Sequence, residues 1–341
     1  MTKVTHIALL LSNLLCAASY AALQPGEGIV LNSATGNYLI SYRDGAGTAN
    51  DPLVQLPFIP STKIDPKLSS TTKILNNVTI LYEYTLSNSV SAKQSIMDME
   101  IYGLPSNANI SGTTTTITEG SKQMDLFQPT LAVPNINWYG SGARGSGWVN
   151  IGWHYNYDSD PPSPLLGIRP GITQGGFSLT SLDLPGLFSV KLLGGGTGHV
   201  GYPGYAPDGD ISILIDQLED NDFVPRNAAA PMIAVPVPYN AAVTLERIQA
   251  HAHTWIAKQL LDSVFSGQLD RLFQSAISAY RLNQPLVGKQ HLDSLRTLIK
   301  QQQPNADKQV ATITPIAMPP AKIDLLAARI LYFNLGYVKR R

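Results

Sequence analysis

Cysteine is almost absent from this chain: its 341 residues contain one, Cys16. That residue lies inside a stretch that reads as a secretory signal peptide over residues 1–21. Lys3 supplies the basic start, Ile7 to Ala18 the short apolar segment, and Ser19-Tyr20-Ala21 a small-x-small cleavage site. A lipid attachment at Cys16 would need a smaller residue than Leu15 before it. Cleavage near Ala21 therefore predicts a cysteine-free mature chain in the periplasm or outside the cell. Such a chain has no disulfides, no cysteine nucleophile and no cysteine-ligated zinc.

Charge is scarce as well. Lys and Arg number 24, Asp and Glu number 24, and charged residues make up 14%, against roughly 25% in ordinary globular proteins. Without clustered basic charge there is no electrostatic grip on nucleic acid, so none is expected as a partner. Long apolar runs are missing too. The leader falls short of the about 20 residues that span a bilayer, and no transmembrane segment is expected in the mature chain.

Catalytic signatures are equally few. There is no Gly-x-Ser-x-Gly elbow and no His-Glu-x-x-His. Gly196-x-Gly198-x-x-Gly201 has the letters of a dinucleotide fingerprint, but Tyr202-Pro203-Gly204 follows where a helix would have to start. No cofactor is expected beyond a structural calcium ion. A Ser-His-Asp triad would have to be assembled from distant positions, which spacing does not reveal. His251 and His253, two apart on a predicted helix, point about 200° apart and cannot easily share a metal.

What the chain has in quantity is turn residues, 28 Gly and 24 Pro, interspersed with alternating apolar segments. Residues 38–42, 74–86, 96–102 and 148–157 alternate in the two-residue period of half-buried strands. In the central stretch, residues 177–182 and 187–193 read as a strand pair, with Leu184-Pro185-Gly186 as a type II turn between them. Gly140 to Gly147 (GSGARGSG) reads as a flexible loop, and Ile211, Ile213 and Ile215 as the last strand. Beyond residue 243 the period becomes helical. Leu245, Ile248, Ala252 and Trp255 share one face; Leu269, Leu272, Phe273, Ala276 and Ile277 repeat it; Leu292, Leu295, Leu298 and Ile299 repeat it again. A last helix spans 321–335 and stops at Gly336. The expected fold is β-rich with a helical C-terminal part: an antiparallel β-sandwich over 22–224, a Pro/Ala-rich linker over 225–242, and a small α-helical bundle over 243–341.

Two groups of residues stand out as candidate sites. Trp138, Trp148, Trp153, Tyr155 and Tyr157 crowd one segment, with Trp153, Tyr155 and Tyr157 on one strand face. Exposed, they would form a stacking platform for sugar rings, helped by Asn150, His154 and Asn156; buried, they would be core. Asp158, Asp160, Asp208 and Asp210 offer oxygen ligands in loops and are the candidate calcium ligands, although the twelve-residue calcium-loop pattern is missing. The expectation is a secreted, non-enzymatic binding or cell-surface protein whose ligand is a carbohydrate or surface polymer. Two alternatives stand beside it. One is an extracellular polymer hydrolase using those carboxylates. The other is an assembly component that docks a protein partner through its helices.

Overall fold

The computed structural model describes residues 23–44, 48–105, 107–119, 122–145, 147–156, 167–194, 209–309 and 321–341, and of 114–119 and 122–126 the backbone alone. It is β-rich, its sheets are antiparallel, and its helices are mostly C-terminal. No helix among the described residues is long and apolar enough to cross a membrane. The chain divides into two compact units.

The first unit holds strands β1 (Gly28–Asn32), β2 (Asn37–Arg43) and β3 (Leu53–Phe58), paired in that order, and helix α1 (Asp210–Asp220). Tyr38, Ile40, Tyr42 and Phe58 from the sheet pack with Ile211 and Ile215 from the helix. The isoleucine alternation at 211, 213 and 215 predicts a strand, yet the segment is helical. Ile211, Leu214, Ile215 and Leu218 also lie at i, i+3, i+4 and i+7, and that face meets the sheet, while Ile213 points out.

The second unit contains the remaining strands: β4 (Pro66–Ile74), β5 (Ile80–Asn88), β6 (Ile96–Pro105), β7 (Gly112–Glu119), β8 (Lys122–Pro129), β9 (Leu131–Ala132), β10 (Trp138–Arg144), β11 (Trp148–Tyr155), β12 (Thr173–Ser181), β13 (Leu184–Gly194) and β14 (Val224–Ile233). One sheet runs β4-β5-β12-β9, another β10-β11-β6-β13-β14, and β7 and β8 form a hairpin. The two larger sheets share a core. Tyr84 of β5 meets Trp153 of β11 at 5.5 Å between ring centroids, and Phe177 of β12 meets Trp153 at 6.2 Å. The buried hydroxyls of Tyr82 and Tyr84 donate to the carbonyls of Asp183 and Ala229 at 2.7 and 2.9 Å, so neither hydroxyl is left stranded.

Many strands were foreseeable; their partners were not. Residues 80–88 and 96–105, adjacent in sequence, enter different sheets, as do β12 and β13. Leu184-Pro185-Gly186 is therefore no turn but the start of β13. Gly186 is required for another reason: a Cβ there would lie 2.3 Å from Nε2 of His251. Gly175 and Gly176 form a bulge in β12, where the register with β5 slips and Gly176 has φ +98°. The first half of the expected linker, residues 225–233, belongs to β14, the edge strand beside β13. Its prolines misdirect the reading, because an edge strand tolerates residues that cannot donate outward.

Four helices complete this unit: α2 (Ala241–Ala257), α3 (Ser263–Arg281), α4 (Pro285–Gln302) and α5 (Leu325–Arg340). Asn240, Asp262 and Asp324 cap three of them through their side-chain oxygens. Gly336 is no stop; α5 continues past it. The helices do not bury their faces only against one another. A single hydrophobic cluster joins Leu245, Phe273 and Leu331 to Leu187, Val190 and Trp153. Two polar bonds fasten helix to sheet: Leu187 N–H donates to His251 Nε2 at 3.1 Å, and Asn334 Nδ2 donates to the Pro185 carbonyl at 2.8 Å.

Candidate active site

The aromatic segment separates into two faces. Val149, Ile151 and Trp153 point into the core, whereas Trp148, Asn150, Gly152 and His154 lie on the opposite face of β11. Trp153 is fully buried and donates its indole N–H to the Ala132 carbonyl at 3.0 Å. Trp138 is buried between Tyr155 and Phe177 at 5.6 and 4.9 Å. Trp153 and Trp138 are thus core residues and no sugar platform, because wide apolar rings gain most by burial between two sheets. Tyr155 is half-buried against Trp138. Tyr157, Asp158, Asp160 and Asp208 lie outside the described residues. Asp210 opens α1, where a negative charge suits the helix N-terminus. Among the described residues no group of three His, Cys, Asp or Glu side chains could hold a metal ion.

On the outer face a different constellation appears. Asp98 on β6, His154 on β11 and Ser141 on β10 form a row across three neighbouring strands. Asp98 Oδ1 lies 2.8 Å from His154 Nδ1, and His154 Nε2 lies 2.7 Å from Ser141 Oγ. With Nδ1–H donating to the carboxylate, Nε2 accepts the serine proton. These are the contacts by which an oriented imidazole serves as base to a hydroxyl nucleophile. The row follows from strand register. His154 stands opposite Asp98, while Ser141 stands opposite Gly152, one step along the same face. The imidazole reaches Ser141 by leaning over Gly152. A Cβ at Gly152 would lie 2.7 Å from Nε2, so the ring occupies space that only glycine leaves.

The glycine-rich run is part of the same design. Trp138–Arg144 is a strand, not a loop. Gly140 and Gly142 face Leu131 and Pro129, which would sit 2.7 and 2.6 Å from an added Cβ, and their parity turns Ser141 to the other side. Alternating Gly-Ser-Gly between aromatic residues was the available signal, hidden by the habit of reading repeated glycine as loop.

Ser141 and His154 line a shallow pocket of about 190 Å³, together with Glu100, Tyr102, Asn150 and Gly152. The pocket is smaller than the roughly 300–1,000 Å³ of sites for drug-sized ligands. Burial by itself would push the His154 pKa down; the hydrogen bond and charge of Asp98, with the charge of Glu100, more than offset this and raise it above the ordinary histidine value. Tyr139, half exposed, lays its ring 5.2 Å from the imidazole. Burial, and then the charge of Asp98, raises the pKa of its phenol. Tyr102 and Trp148 stack at 6.3 Å beside the pocket, and the Lys191 ammonium sits 4.5 Å from the centre of the Tyr102 ring.

Neither the protein-family models nor the curated proteins contain a match to this chain.

Proposed function

We propose that this chain is a secreted hydrolase that cleaves a short-acyl ester through a serine nucleophile. The observation that carries the reading is the Ser141–His154–Asp98 relay, with both hydrogen bonds made, at a pocket on an open sheet face. His154 Nε2 takes the proton of Ser141 as Oγ forms its bond to the ester carbon and the carbonyl electron pair moves onto oxygen. Collapse of that intermediate breaks the bond to the leaving alkoxide, which takes the proton from His154. Water then repeats the two steps, releasing the acid and restoring Ser141. Pocket volume favours a short acyl group, and the carboxylates of Asp98 and Glu100 disfavour an anionic one. Secretion rests on the leader pattern of residues 1–21.

The test is p-nitrophenyl acetate turnover together with labelling by a fluorophosphonate and mapping of the modified peptide. Ser141→Ala and His154→Ala should lower kcat by at least about 10³-fold, and the label should fall on Ser141. Undiminished turnover in Ser141→Ala, or a label elsewhere, refutes the proposal.

A second reading keeps the protein as a binder of a surface polymer. It draws on Tyr102, Tyr139 and Trp148, each more than a third exposed on the same face. Against it, the Trp148 ring is stacked on Tyr102 and covers Gly145, and Lys191 sits over Tyr102. The aromatic groups therefore offer edges more than open faces. Retention on insoluble polysaccharide, lost in Trp148→Ala and kept in Ser141→Ala, would favour binding alone.

A further inference from the structure

A serine nucleophile needs a donor for the oxygen on which negative charge develops. Every described residue lining the pocket lies on β6, β10 or β11, so among the described residues no helix N-terminus contributes to it and a side chain is the natural source. Among those residues Asn150 is the one with a carboxamide.

Three observations place and orient it. First, Ser141 stands opposite Gly152 in the β10–β11 register, with His154 two residues to one side and Asn150 two residues to the other. Such diagonal neighbours are about 7–8 Å apart at the backbone, a span that leaves room for an ester carbonyl between hydroxyl and amide. Second, the pairing of β11 with β6 slips at Asn150: Val149 stands opposite Leu104 and Asn150 opposite Tyr102, so Gly103 has no counterpart. Gly103 takes φ +91°, as an extra residue in a bulge can when it is glycine. Third, the amide hydrogen released by the bulge is not wasted. Gly103 N–H donates to Asn150 Oδ1 at 2.7 Å. That bond fixes which end of the carboxamide is which, holding Oδ1 on β6 and leaving Nδ2, a pure donor, as the opposite end of the group.

We infer that Asn150 Nδ2 donates to the oxyanion formed when Ser141 attacks an ester, and that the Gly103 bulge is the device that aims it. The inference rests on the hydrolytic reading above. In the attack, the carbonyl π pair moves onto an oxygen held by Nδ2–H, while the serine proton goes to His154. In the collapse, that pair returns as the alkoxide leaves. Asn150 binds charge and exchanges no proton, so its effect falls on kcat and leaves the pH profile to His154.

Asn150→Asp keeps an oxygen to accept from Gly103 N–H and removes the donor. Asn150→Ala removes both. With p-nitrophenyl acetate, each should lower kcat about 10²- to 10³-fold, with KM within about threefold and the acid limb of the Asn150→Ala profile unmoved. Labelling of Ser141 by fluorophosphonate should slow in parallel. If Ser141→Ala is inactive while Asn150→Asp keeps kcat within threefold of the parent, this inference is wrong and the hydrolytic reading survives. If Ser141→Ala keeps its activity, both fall together. Loss confined to Asn150→Ala, with Asn150→Asp active, also overturns it, because the oxygen on Gly103 would then be all that matters.

Discussion

His251 should act as the acid-sensitive fastener between α2 and the sheet. It is half-buried, its ring sits edge-on to Trp255 at 5.7 Å, and its Nε2 accepts the Leu187 N–H at 3.1 Å. Only the neutral ring can accept that bond. Burial, and to a lesser degree Lys258, lowers its pKa to about 4, from about 6.5 in an unfolded chain. Because the folded value is the lower one, the stabilising contribution is complete above pH 6.5 and is lost as the pH falls towards 4. The fall from about 6.5 to about 4 corresponds to about 3 kcal/mol in full, and about 2 kcal/mol is already lost at pH 5. His251→Gln isolates the effect, since Oε1 can replace Nε2 as acceptor and does not titrate. Urea unfolding of both proteins between pH 7.5 and 4.5 reports it. The parent should lose about 2 kcal/mol relative to His251→Gln between pH 7 and 5. A difference that stays flat, or a His251 titration midpoint near 6.5 by NMR, would refute the reasoning.

The site yields further tests. His154, held above its ordinary pKa chiefly by Asp98 once burial is overcome, behaves in the opposite sense. Its contribution to stability is complete below the unfolded value of about 6.5 and disappears as pH rises through the raised folded value. Activity needs the neutral ring, so the acid limb of the pH–rate profile should lie above 6.5. Asp98→Asn should move that limb down and cut kcat about 10³- to 10⁴-fold; an unmoved limb would remove Asp98 from the relay. Gly152→Ala should displace the imidazole, whose Nε2 lies 2.7 Å from the added methyl, and lower kcat at least tenfold with little change in Tm. Full activity would mean that the ring need not cover Gly152. Trp153→Ala, which empties the space between Tyr84 and Phe177, should cost about 3–5 kcal/mol by chemical denaturation. A loss below about 1 kcal/mol would contradict its place in the core.

Local periodicity made much of the fold legible. The helical faces at Leu245 and Ile248, at Leu269 and Phe273, and at Leu295 and Ile299 are the buried ones, because a helix must hide its apolar stripe whatever it packs against. Strands such as Asn37–Arg43, Ile80–Asn88 and Trp148–Tyr155 were legible for the same reason, whereas Trp138–Arg144 and Val224–Ile233 were not. Strand partners were not, since alternation says which face is buried and nothing about which sheet receives it. The site was hidden at a deeper level. Asp98, Ser141 and His154 are brought together by register across three strands, and register depends on pairing. Ser141 carried the further disguise of two glycines whose role is to admit Leu131 and Pro129. The aromatic cluster was visible, and from Trp148 to Tyr155 its alternation is that of the strand. Which parity faces water was settled by the second sheet.

The edge of the larger sheet has a consequence for how copies of this protein behave towards one another. A bare strand edge is a template for a second chain, the first step towards fibrils. On β14 the row that turns away from β13 includes Pro225 and Pro231, which have no hydrogen to give, and Ala229, whose amide is already taken by Ser70 Oγ at 2.8 Å. Residues 228–231 are buried, and both the N–H and the carbonyl of Ala229 are bonded to side chains of β4 and β5, which leaves Asn227 as the exposed donor of this row. The composition that looks like a linker thus leaves an approaching strand few places to bond along this edge.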